Sequence, residues 1–541
     1  MVADAPQAMR SRSLINSIRT SRPELLFWVG LILLVLVGYF LRAIDLDQLP
    51  SGLYRDEAMN ALDGFTAISS GRFPLYYPDN YDRGLFQEGF FVNLQGITSY
   101  ILSPSLVAAR LPAVLIGVAG IVSVAFMARQ LFSSRTVGLI AATLLTFSYW
   151  GINFSRIGFS AILVPTVLAV AVGLLVWASR SGSVSRMFGA GIFFGFGIYT
   201  YAAYRFAPLL ALLVLVSAWR VFYWPLAQAF RLGISFVIGA GLTAIPMLLA
   251  IAREPRILTA RAEDVSLVST SMPASEALEI FLTNLALATG KFFFLGDLNI
   301  RHNYGPYAIL SPVVALLFAV GIVLCLVWIA QYLRVPMASE PVAMYALGSI
   351  TLLGGLTVMT IPEVLSVDSA PHSLRSIGSQ PFVMTLAAIP IWKFVQWFRS
   401  PVRRQLPQVR WITAGLVSVL VLSLALDLFR YYSALRSSTE QRIAFDADLL
   451  SMVELAEEDG SRVVFLPYPQ QQAIIRYLAG SDAEYLRIAE TIDQIERGDT
   501  VWLRQSDELL AQDVLTDFPD ATLVVVTDDL RGTSFLSIET D

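Results

Sequence analysis

The chain has 541 residues, of which 55% are hydrophobic and 15% charged, and its net charge is −4. A soluble globular chain carries about a quarter charged residues, so a wholly soluble fold is excluded, and no basic excess marks a nucleic-acid partner. The single cysteine, Cys325, excludes an intrachain disulfide and a cysteine-based metal site.

Residues 1–24 are basic and polar and precede an apolar run at 25–41. That run is long for a signal-peptide core, and no small-x-small cleavage site follows it, so it reads as a retained first transmembrane helix. Runs of about 20 apolar residues cross a bilayer. Further runs follow near 105–131, 136–152, 159–178, 187–203, 206–224, 232–252, 307–330, 342–361, 380–398 and 411–430, which makes about eleven spans. Cytoplasmic loops collect Lys and Arg. With the N-terminus inside, the inner connections hold Arg129 and Arg135, Arg180 and Arg186, Arg220 and Arg231, Arg334, and then Lys393, Arg399, Arg403, Arg404 and Arg410. The expected organisation is a cytoplasmic segment 1–24, a transmembrane domain 25–430, and an extracytoplasmic tail 431–541. Two long outer loops fall at about 42–104 and 253–306. The tail mixes β-rich runs (Val463–Leu466, Val501–Leu503, Leu523–Thr527) with amphipathic runs such as Ala444–Glu457, which suits one small α/β domain. It has no nucleotide-binding glycine loop.

The polar residues assigned to the outer side form a pattern. Arg55, Asp56 and Glu57 stand together in GLYRDEAMNALDG of the first loop. A carboxylate there can take the proton of an attacking acceptor hydroxyl, as sugar transfer requires, or hold a divalent metal. The plainer reading is a helix start whose dipole favours acids. Glu88, in LFQEGFF before an expected interfacial helix, is a second candidate for substrate contact. Cations come from other outer loops: Arg156 in NFSRIGFS, Arg205 in YTYAAYR, Arg301 beside His302 and Asn303 in GDLNIRHNYGP, and His372 with Arg375 in APHSLRSIG. Any one of these Arg residues could snorkel to headgroups. Four such loops, two of them carrying the only histidines, favour a shared anion site, because the forked guanidinium suits phosphate. Tyr201, with Tyr199 and Tyr204, either lines a sugar pocket or belongs to an interfacial aromatic belt. The run GIFFGFG reads as close helix packing.

In their order along residues 25–400, the segments GLYRDEA, FSRIGFSAILVP, GIYTYAAYRFAP, GDLNIRHNYG and PHSLRSIGSQP resemble glycosyltransferase family 39. Its members have the GT-C fold and include protein O-mannosyltransferases and the lipid A aminoarabinose transferase. The resemblance implies a sugar donor on a polyprenyl phosphate, transfer at the extracytoplasmic face of the cell membrane, and inversion at the anomeric carbon. It puts the catalytic acid position on Asp56, with Glu57 beside it. It gives Arg156, Arg205, Arg301, His302, His372 and Arg375 to the donor phosphate, and Arg55, Glu88, Tyr201 and Asn303 to substrate binding. Residues 72–91 depart from the acceptor-loop pattern, which leaves a protein, a lipid and a glycan all open as acceptor. No organic cofactor is implied. The alternative function is a transporter or flippase of lipid-linked sugars, which should carry ionisable or broken-helix sites near the bilayer midplane. A nonenzymatic envelope scaffold would need neither the acidic pair nor the Arg set.

Overall fold

The computed structural model describes residues 5–78, 85–267, 272–335, 339–367, 370–399, 406–460, 462–469, 471–480, 483, 485–528 and 531–540. Arg403, Arg404 and residues 79–84 of the divergent stretch lie outside the described residues. Among the described residues nine helices are long and apolar enough to cross a membrane. They are Pro23–Ala43, Leu106–Phe132, Ser160–Ser181, Ala202–Val221, Leu226–Arg253, Pro312–Arg334, Glu340–Val364, Ile377–Phe398 and Pro407–Leu435. Each covers one of the spans expected from hydropathy. The remaining two expected spans, 136–152 and 187–203, are shorter apolar helices, Arg135–Phe147 and Val184–Tyr199. The first is cut short at Ser148, which turns extended (ψ 131°) and caps a new helix, Tyr149–Phe154, by accepting the Gly151 N–H. The second tightens into a 3-10 turn before Tyr201 goes extended (ψ 153°).

Small residues let the helix backbones touch. A Cβ on Gly191 would overlap the Phe236 carbonyl, and one on Gly195 would overlap that of Ala240. The GIFFGFG run is thus a packing seam between Val184–Phe196 and Leu226–Arg253. In the first loop, Gly64 and Gly96 bring the helices Arg55–Ser69 and Gly89–Leu102 together in the same way. A short antiparallel hairpin, β1 (Tyr76–Pro78) and β2 (Phe86–Glu88), links them.

The tail contains a five-stranded sheet in the order β4-β3-β5-β7-β6. Its strands are β3 (Val463–Phe465), β4 (Leu486–Ile488), β5 (Thr500–Arg504), β6 (Thr522–Asp528) and β7 (Thr533–Glu539). Alternation along the strands separates two cores. Val464, Val501, Leu503 and Ile538 pack with Ala511 and Val514 of the helix Glu508–Asp517. Val463, Phe465, Trp502 and Phe535 pack with the helices Ala447–Asp459 and Gln472–Ala479. This second core runs on without a break into Leu53, Ala58, Ala61, Leu106 and Ala109. The Tyr477 hydroxyl reinforces the junction, 2.8 Å from Ser99 Oγ and donating to the Ser105 carbonyl at 3.2 Å. The tail and the first loop therefore share one hydrophobic core.

Candidate active site

The acidic pair opens the Arg55–Ser69 helix, and the fold gives its two members different surroundings. Tyr54 is extended (ψ 141°) and precedes the first turn. Glu57 turns back and accepts the Tyr54 N–H at 3.2 Å, which is the glutamate half of a capping box. Its other oxygen accepts the Gly158 N–H and faces Arg110 Nε at 3.4 Å, and both side chains of this ion pair are fully buried. Both carboxylate oxygens of Glu57 are thus engaged by the protein. The plainer reading of the sequence holds for it. Asp56 is half-buried and lies one turn before Asn60, on the same helix face. Asn60 Oδ1 accepts the Gln87 amide at 2.7 Å, and Gln87 precedes Glu88. The Asp56 face of the helix is thereby directed toward the hairpin that carries Glu88.

Glu88 is buried and pairs with Arg205 at 2.9 Å. Arg205 also donates to the carbonyls of Leu258 (2.7 Å) and Ile257 (3.1 Å), which join it to the second long loop. Tyr201, Arg205 and Arg375 line a cavity of about 280 Å³ together with Phe206, Leu258, Ser266, Pro362 and Leu365. Leu365 also lines an adjoining apolar cavity of about 470 Å³, walled by Phe281, Phe292, Phe318, Leu356, Ile361 and others. A cationic pocket thus adjoins an apolar one at the end of the Glu340–Val364 helix. Tyr199 and Tyr204 do not line the pocket. Their hydroxyls donate to the carbonyls of Thr243 (2.8 Å) and Phe194 (3.0 Å).

Arg301 stacks over the Tyr54 ring, 4.1 Å from its centroid, and donates to Asn299 Oδ1 at 3.0 Å. Arg55 reaches the Tyr54 hydroxyl at 3.4 Å. Both therefore sit at the start of the acid-bearing helix. Asp446, from the tail, completes this group. It is buried and held 3.0 Å from Arg504. Burial and the neighbouring Asp448 push its carboxyl up to about 6, against the pull of Arg504, Arg55 and Arg301.

Two residues expected to contact substrate are fully engaged with the protein. Arg156 is completely buried. It donates to the carbonyls of Leu41 (3.1 Å), Asp45 (3.1 Å) and Leu49 (2.8 Å) and to the Tyr431 hydroxyl (3.2 Å). It ties the first loop to the end of the last membrane helix, and its donors are spent there instead of on a phosphate. Asn303 donates to the carbonyls of Asp297, Gly305 and Tyr307 and accepts from Arg430 at 3.2 Å, so it organises its own loop.

The two histidines come together. Their ring centroids are 4.8 Å apart. His302 is buried, stacks on Phe154 and has Nδ1 2.9 Å from Asp297 Oδ2. The same Asp297 oxygen accepts the Ser373 N–H at 2.6 Å. Burial opposes ionisation of Asp297, but the two imidazoles and the Ser373 N–H hold its carboxyl down at about 2. Burial, with His302 and Arg375 beside it, depresses the His372 imidazole well below its ordinary value. Behind the histidines the buried Lys291 pairs with Glu363, and Glu363 accepts the His372 N–H at 2.8 Å.

Arg110, Asp297, the Lys291–Glu363 pair and Asp446 were not anticipated from the sequence. Asp297 offered a signal, since it stands five residues before His302 in GDLNIRHN. Arg110 lies in an apolar helix with no adjacent acid, and Asp446 lies in a tail that matched no motif.

A family model for dolichyl-phosphate-mannose-protein mannosyltransferase matches residues 90–241. Among solved structures, ArnT from Cupriavidus metallidurans bound to undecaprenyl phosphate superposes with a TM-score of 0.55 at 14% identity, covering 94% of this chain and 98% of that one. The chain has the GT-C fold. The apo state of the same ArnT gives a TM-score of 0.52 at 15% identity, over 94% and 97% of the two chains. An oligosaccharyltransferase from Archaeoglobus fulgidus tethered with an acceptor peptide gives 0.50 at 14% identity, over 87% of this chain and 64% of that one. Among curated proteins none matches the sequence significantly. The GT-C architecture, with its many apolar helices, makes this a multi-pass membrane protein.

Proposed function

We propose that the protein is a membrane glycosyltransferase that moves a sugar from a polyprenyl-phosphate donor to an extracytoplasmic hydroxyl acceptor, with inversion. The observation that carries the reading is the pair of cavities that share Leu365 as a wall. A lipid phosphate needs cations for its head and an apolar trough for its chain, and Arg205 and Arg375 adjoin such a trough at Leu365. That ArnT was solved with undecaprenyl phosphate supports the same class of donor.

In this reading Asp56 takes the proton of the acceptor hydroxyl as its oxygen attacks the anomeric carbon. The bond from that carbon to the phosphate oxygen breaks, and the electron pair leaves with the polyprenyl phosphate. Negative charge grows on the departing phosphate, so Arg205 and Arg375 stabilise the transition state more than the ground state. Arg301 holds Tyr54 beneath the first turn and contributes positive potential from the other side. Glu88 orients Arg205. Membrane lipids surround the helices, the N-terminus is cytoplasmic, and the site and tail are extracytoplasmic in the cell membrane.

The decisive experiment uses purified protein in lipid nanodiscs with radiolabelled polyprenyl-phosphate sugars and candidate acceptors. Product formation that disappears in Asp56→Asn supports transfer. Movement of a fluorescent lipid-linked sugar across proteoliposomes, with no covalent product, would establish the flippase alternative instead. The orientation is tested separately with Ser506→Cys in a Cys325→Ala background. Labelling by an impermeant thiol reagent in intact cells is expected. Labelling only after permeabilisation would invert the topology.

A further inference from the structure

Asp297 and His302 come from one loop and His372 from another, and none of the three lines the donor cavity. One ligand atom from each lies within 4.8 Å of the others. His302 Nδ1 and the Asp297 carboxylate face each other at 2.9 Å, a separation that an ion can take over from the shared proton. His302 Nε2 has no hydrogen-bond partner, although His302 is 2% exposed. His372 Nδ1, on the neighbouring ring, has none either. Two adjacent imidazoles each leaving a buried nitrogen unsatisfied is unusual, because buried polar atoms are nearly always paired.

We infer that His302 and His372, with Asp297, form a binding site for a divalent transition metal of the Zn²⁺ class. Imidazole nitrogens with one carboxylate favour zinc, cobalt, nickel or iron over magnesium and calcium, which prefer oxygen ligands throughout. Tetrahedral zinc with bonds of about 2.0–2.1 Å sets its ligands roughly 3.3 Å apart, so the site closes on the ion, and the half-buried His372 ring is the member with room to turn. Positions beyond the protein ligands are left to water or an anion. The role is a clamp. Asp297 already bridges its own loop to Ser373, and the metal adds a second tie between the segments that carry Arg301 and Arg375. The inference does not depend on the sugar-transfer reading.

The test uses the full chain in detergent, with any affinity tag removed, stripped by chelator and then titrated with Zn²⁺ and Co²⁺. One equivalent of Zn²⁺ per chain is expected, together with visible ligand-field bands for Co²⁺ and a melting temperature that falls on chelation and recovers on Zn²⁺ addition. Asp297→Asn removes a ligand and should weaken binding by more than the roughly 10–100-fold typical of a group behind a ligand. His372→Ala should abolish binding while the protein stays monodisperse, because that residue is only partly buried. His302→Gln should do the same, and if it fails to fold, His372→Ala decides. Substoichiometric zinc in the parent protein, or full binding retained in His372→Ala, would overturn the site.

Discussion

Two groups of charges share one end of the helix bundle, and they differ in what satisfies them. Glu57, Arg110, Arg156 and Arg42 are completely buried. Backbone carbonyls and amides, hydroxyls or each other engage them; Arg42, for example, donates to the carbonyls of Gly38, Leu145 and Thr146 and to Ser155. Arg205, Arg375 and Tyr201 instead border a cavity, and Asp56 and Arg55 are half-buried at the start of a helix. The first group fastens the loop at 42–58 to the membrane helices. In the second, Arg205, Arg375 and Tyr201 line a cavity. The same residue types therefore serve as buttress in one place and as candidate chemistry in the other. What separates them is burial: the first group is sealed from any cavity, while Arg205, Arg375 and Tyr201 line one.

The comparison breaks most visibly if a buttress charge is removed. Arg110→Ala leaves Glu57 buried and uncompensated, which should destabilise the protein by about 3–5 kcal/mol. Poor recovery and a lower melting temperature in detergent are expected. A melt at the parental temperature would mean that the pair contributes nothing to the framework.

Asp446 lies between the two groups and reports on their boundary through pH. Its folded value of about 6 lies above its ordinary 3.8, so the neutral form favours the folded state. That contribution is fully present below the ordinary value and is lost as pH rises through 6, a span worth about 3 kcal/mol. Thermal melts of the parent should therefore lose ground to Asp446→Asn between pH 4 and pH 7. A constant gap over that range would remove Asp446 as a titrating partner of Arg504.

In the second group, Asp56→Asn should cut turnover by about 10²-fold or more while donor binding and melting temperature stay near parental. Parental turnover in a folded Asp56→Asn enzyme would remove Asp56 from the mechanism and make Glu57 the next candidate. The smallest effect is expected at Arg375. Arg375→Ala should weaken donor binding about tenfold, the scale of one charged hydrogen bond, with partial recovery in Arg375→Lys because a point charge lacks the fork. Equal donor affinity in all three proteins, measured with a fluorescent polyprenyl phosphate, would move the phosphate site away from that cavity.

The tail teaches a related lesson. Its strands Val463–Phe465, Thr500–Arg504 and Thr522–Asp528 were legible from β-rich runs, and its helix Ala447–Asp459 from an amphipathic one. Its docking was not. Nothing local to Leu449 or Ile474 says that they share a core with Leu53 and Ala58, or that Asp446 stands near Arg55 and Arg301. A truncation after Arg430 would bare that core, so the tail cannot be treated as a detachable accessory.

Hydropathy is a local, additive property, and it located the nine helices among the described residues that are long and apolar enough to cross a membrane, two fewer than the eleven spans expected. All eleven expected spans correspond to apolar helices, two of them shortened where Ser148 and the Tyr199–Tyr201 turn interrupt the backbone. The clustering of Asp56, Glu88, Tyr201, Arg205, Arg301 and Arg375 toward one end of the bundle was also legible, because loop membership follows from the spans. Which charges are sealed in the interior and which line a cavity was decided only by tertiary structure. Glu57 meets Arg110 across 53 residues and Arg156 meets Tyr431 across 275, so whether a charge is satisfied depends on partners that no window of sequence contains. Desolvation penalises every buried charge alike, and only the folded arrangement brings the compensating partners within reach.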